Sequence, residues 1–148
     1  MGLMDKLFGG LDTSASNFTT QEAFAGILLG ASACDGHIAE DEVAGLVTCL
    51  LRMKLYHRFT DKQFNQMLNK LHGIVKRKGV DVLLDACCKV LPADLHRTAF
   101  ANACDIVLAD GIVEQDEKVF MDKLRAALNL DPEAAKTIAE IMIVKNKG

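Results

Sequence analysis

Tryptophan is absent from this chain, tyrosine occurs once, and aromatics make up only 5% of its 148 residues. A core must then come from Leu, Val, Ile, Ala and Met, and the scarcity of large strand-forming residues favours helices. Proline is almost missing as well. Both prolines stand where helices begin: Asp131-Pro132-Glu133 reads as N-cap, N1 and first-turn acid, and Pro92 opens a segment reaching Ala109. No Cys-x-x-Cys pair occurs, which removes zinc-ribbon and thioredoxin readings. The five cysteines are an odd set with Cys87 and Cys88 adjacent, as expected of free, mostly buried thiols in a reducing compartment. Surplus positive charge is missing too. The net charge is -3, and the one basic run, Lys76-Arg77-Lys78, has no aromatic neighbours, so no nucleic-acid partner is expected. Finally, the uncharged stretch Phe24 to Cys34 falls far short of the roughly 20 residues a membrane span needs. With no signal-peptide pattern at the N-terminus, the expected location is cytoplasmic.

What remains is half hydrophobic and a quarter charged, the profile of one globular domain. Thr19-Thr20-Gln21-Glu22 and Thr60-Asp61-Lys62-Gln63 both read as capping boxes. These signals predict about seven helices, over 19–35, 40–55, 61–77, 80–91, 93–109, 115–128 and 132–145, in an all-α bundle. Phe64, Met67, Leu68, Leu71 and Val75 follow helical spacing, as do Val119, Phe120, Leu124, Ala127 and Leu128. The segment 93–109 is apolar on most sides after Thr98, which predicts a central helix. Residues 1–18 read as leader and linker, and 19–148 as the domain. In the leader, Leu3, Met4, Leu7, Phe8 and Leu11 would stripe one helix face, for docking on the domain or for weak peripheral contact with a membrane through residues 1–11.

One short pattern occurs twice. Asp35-Gly36-His37-Ile38-Ala39-Glu40-Asp41-Glu42 and Asp110-Gly111-Ile112-Val113-Glu114-Gln115-Asp116-Glu117 share D-G-x-[IV]-x-x-D-E, offset by 75 residues. Each follows an apolar helix and precedes an amphipathic one, which predicts two helix–turn–helix units related by an approximate two-fold, with two helices between them. The glycine suits a sharp helix end, where positive φ is often required. Ile38 or Val113 would tuck inward, and Glu42 and Glu117 fall near N3 of the next helix, where free N–H groups meet a carboxylate. An aspartate at a helix C-terminus is unfavourable on its own and needs compensation. Two readings follow. Either Asp caps the next helix in a rigid corner without ligand, or Asp35, Asp41, Glu42, Asp110, Asp116 and Glu117 hold a hard cation, Ca²⁺ or Mg²⁺, through oxygen. An EF-hand is excluded, because the two earlier ligand positions would be Ala33 and Ala31, or Leu108 and Ile106. His37 would add a nitrogen ligand in the first turn, but Ile112 replaces it in the second. The histidines show no metal spacing among themselves or with cysteine.

These residues resemble the tellurite-resistance TerB family, whose domain is a helical bundle of two related halves, each with a D-G turn and an acidic helix start. The resemblance rests on Ala31-Ser32-Ala33-Cys34-Asp35-Gly36 with Glu42, and on Leu108-Ala109-Asp110-Gly111 with Asp116-Glu117-Lys118. It extends from about Gln21 to Ile143. It implies a non-catalytic, stress- or tellurite-associated module with a metal-linked acidic site and protein partners. Ala39 and Glu114 stand where the family pattern leads one to expect a Ser or Thr cap, which predicts weak capping in both copies. The competing class is a metal- or thiol-dependent enzyme of the tellurite or oxidative stress response. No G-x-S-x-G, Walker A, dinucleotide fingerprint or H-E-x-x-H supports it.

Overall fold

Uncharged from Ala23 to Cys34 and rich in alanine and glycine, the first helical segment has no polar face to offer water. It becomes the axis of the fold. The computed structural model describes residues 18–34, 40–109 and 111–147, with the backbone alone at 40 and 41. Among these it shows seven α-helices and no strand: α1 (Thr20–Ser32), α2 (Glu40–Leu51), α3 (Asp61–Lys78), α4 (Val80–Val90), α5 (His96–Leu108), α6 (Gln115–Ala127) and α7 (Pro132–Lys145). Short 3₁₀ turns, Lys54–Tyr56 and Ala93–Leu95, precede α3 and α5. Residues 1–17, with the leader stripe and its expected membrane contact, lie outside the described residues.

Every residue of α1 from Ala23 to Ala31 is buried. The helix packs against α2, α3, α4, α5 and α6, while α7 is held mainly through α5. The expected central helix, 93–109, begins as a 3₁₀ turn, and from Thr98 to Leu108 no residue of α5 is exposed. It packs against α1, α6 and α7, with Ala99, Phe100, Ala103, Cys104 and Val107 buried, although α1 is the more deeply enclosed. Small residues make the central position possible. A Cβ on Gly26 would stand 2.5 Å from Cys87 Sγ on α4, so the two helices meet at a distance that excludes any side chain there.

The caps form as the sequence predicts. Thr19 Oγ1 accepts from Glu22 N at 3.1 Å, and Glu22 Oε1 accepts from Thr19 N at 3.0 Å. Thr60 and Gln63 repeat the exchange on α3, and Asp131 accepts from Ala134 N at 3.2 Å ahead of α7. The basic run Lys76-Arg77-Lys78 lies in the last turn of α3, where cations suit the negative dipole end. On α3 the fully buried residues are Phe64, Met67, Leu71 and Ile74. Leu68 and Val75, expected in that row, pack half-buried beside it. On α6, Phe120 and Leu124 are buried and Leu128 follows, but Val119 is 41% exposed. Phe18, placed by composition in the linker, is itself buried, with the Lys70 ammonium 5.2 Å from its ring centroid.

Candidate functional site

The second turn is described from Gly111 onward, and Gly111 has φ +80, the left-handed backbone that its motif requires. Val113 is half-buried behind it. The expected weak capping of this copy is corrected: Glu117 Oε1 accepts from Glu114 N at 2.8 Å, so the N3 glutamate reaches back over the helix start without needing a Ser or Thr. Asp35, Gly36, His37, Ile38 and Asp110 lie outside the described residues, as does the Asp41 side chain.

α1 packs on α2 and α5 packs on α6, the two repeat units, and α1 also crosses α5. A cleft of about 370 Å³ opens where these four helices meet. Glu42 from α2 and Glu117 from α6, equivalent in the two repeats, both line it, and so do Ala31 and its equivalent, Ile106. Asp105 of α5 is a third carboxylate lining the cleft. Asp116 is directed elsewhere, into a separate cavity of about 410 Å³ shared with Cys34, Lys78 and Lys123. The repeat thus brings Glu42 and Glu117 to one cleft and sends Asp116 away from it.

Asp105 was not part of the expected set. Its Oδ1 accepts from Lys145 Nζ at 2.9 Å and from Asn146 Nδ2 at 2.8 Å, tying the end of α7 to the cleft. Burial pushes its carboxyl up, but the hydrogen bonds from Asn146 and Lys145 outweigh that and hold it below the ordinary value. A signal was present: Asp105 is the single charge between Thr98 and Ala109, an acid in an otherwise uncharged helix.

Cys49 also lines this cleft, and its thiol donates to Asn102 Oδ1 at 3.4 Å. Burial raises its pKa, and the nearby Asp105 charge raises it further. Burial likewise pushes Cys88 up to about 12 and Cys104 to about 11, with Cys87 raised as well. These groups are thiols at neutral pH and supply little thiolate for nucleophilic or soft-metal chemistry.

The cleft presents three carboxylates, which suit a hard cation, beside the Ser32 hydroxyl and the Cys49 thiol. Among the described residues, no three His, Cys, Asp or Glu side chains converge closely enough to hold a metal ion by themselves. Asp110, outside that set, directly follows Ala109, which lines the cleft. No described helix is long and apolar enough to cross a membrane. No family model, curated protein or solved structure matches the chain.

Proposed function

We propose that the chain is a non-catalytic module of the TerB type, which takes up a hard divalent cation at the four-helix cleft and works through protein partners. The observation that carries this reading is that Glu42 and Glu117, equivalent residues 75 positions apart, line one cleft together with Asp105. Two carboxylates from separate halves repel each other unless protonated or bridged. A cation between them turns that repulsion into a tie between the halves. Asp35, Asp41 and Asp110 are the further oxygen donors supplied by the turns in this reading. The family assignment itself rests on the two D-G turns and the helical bundle.

The test is a thermal melt of chelator-treated protein with and without millimolar Ca²⁺ or Mg²⁺. At a hundredfold excess over the dissociation constant, binding adds about 2.7 kcal/mol, or roughly 5–11 °C in a chain of this size. Glu42→Gln and Asp110→Asn should each abolish the rise while changing the metal-free protein much less. An unchanged midpoint in the parent would show that the turns are ligand-free corners. For the partner half of the reading, tagged parent protein should retain a partner from its native cell that the Glu42→Gln variant loses.

A further inference from the structure

His96 opens α5, and its half-buried ring lies between the ends of two other helices. Nε2 is 2.9 Å from the carbonyl oxygen of Leu91, the C-cap of α4. Nδ1 is 3.1 Å from the carbonyl oxygen of Leu128, the C-cap of α6. A carbonyl accepts hydrogen bonds and never donates them. A neutral imidazole carries one N–H, so either tautomer satisfies one of these carbonyls and turns a lone pair toward the other. Only the imidazolium donates to both. We propose that His96 is a proton-operated clamp: doubly protonated, it ties the ends of α4 and α6 to the start of α5, and losing one proton lets one of those ends go.

The carbonyl ends of α4 and α6 carry the negative side of the helix dipole, and the start of α5 carries the positive side, so two ends attract the imidazolium and one repels it. Within three residues of Leu91, His96 and Leu128 the charged groups are Lys89, Asp94, Arg97, Arg125 and Asp131. Two are acidic and three basic, and all but Arg125 are exposed. Arg125 is engaged by the Leu130 carbonyl at 3.1 Å, and Asp131 by its cap to Ala134. Histidine is the side chain whose charge changes in the neutral range, so the clamp responds to modest pH changes. Its sign is fixed: the second bond exists in the protonated form, is present at low pH and is lost as pH rises.

Ring-nitrogen NMR of the full chain tests this directly, with the exposed His57 as internal reference. At acid pH both ring N–H groups of His96 should be held by carbonyls and exchange with water more slowly than those of His57, and one of those bonds should be lost as the pH rises. Ring N–H groups of His96 that exchange as fast as those of His57 at acid pH would overturn the clamp. In parallel, as pH rises the parent's melting temperature should fall more than that of His96→Gln, which is neutral throughout. An equal fall in the variant would also overturn it. If His96→Gln does not fold, the NMR measurement on the parent decides alone.

Discussion

Glu22 and Asp105 are half-sheltered carboxylates held by cations from distant helices, and both have lowered pKa values despite burial that acts the other way. For Glu22 the Lys70 ammonium, 2.8 Å away, and the Thr19 backbone outweigh burial. Groups lowered in the folded state add stability above their unfolded values, here 4.5 and 3.8, and lose it as pH falls through the folded ones. Urea midpoints should therefore drop on acidification below about pH 4.5. The double variant Glu22→Gln, Asp105→Asn should be flatter over the same range; a parallel drop would show that other carboxylates control acid stability. Gln63 already serves as N3 partner on α3, so Gln at position 22 keeps the capping box and removes only the charge. At Gly26 the limit is steric. Gly26→Ala should cost about 1–3 kcal/mol by denaturant melt, because Cys87 Sγ occupies the space of the new methyl. Combined with Cys87→Ala, the cost should be less than the sum of the two single variants. Strict additivity would show that α1 and α4 separate freely.

At the level of elements, helix ends were readable because their chemistry is local. Thr19 with Glu22, Thr60 with Gln63, and Asp131 before Pro132 act within four residues of one another, and all three caps form. Thr60→Ala should accordingly lower stability by about 1 kcal/mol in a chemical melt, and no change would mean that tertiary packing alone holds the start of α3. Which helix lies at the centre was harder to read. α1 and α5 are both apolar runs, and the difference lies in the small residues Gly26 and Gly30, which let α4 and α6 approach from sides a larger residue would close. Ile74 escaped for a related reason: both 74 and 75 extend the apolar stripe of α3, and only the fit against neighbouring helices selects 74. Val119 shows the same limit on α6, standing beside Phe120 at a stripe edge that no helix covers.

For the whole molecule, the repeat made Glu42 and Glu117 visible as a pair, and the fold brings that pair to one cleft. It did not reveal Asp105, which belongs to no motif and acquires its place through Lys145 and Asn146, some 40 residues further along the chain. Nor did it separate Asp116 from Glu117. Adjacent helical positions point about 100° apart, and which neighbour faces the cleft depends on how α6 is seated.

The depth of the cysteines has a use of its own. Cys87, Cys88 and Cys104 are no more than 6% exposed, whereas Cys34 and Cys49 are half-buried. Under native conditions an alkylating reagent should modify the second pair first, and the other three only when the helices part. The chain thus carries an unengineered clock for its own opening, read as mass steps on the intact protein. In urea all five should react together. If all five also reacted at one rate without urea, the interior would be open on the reagent's timescale. A slower second step in the presence of Ca²⁺ would report ligand-linked closure without any label or mutation.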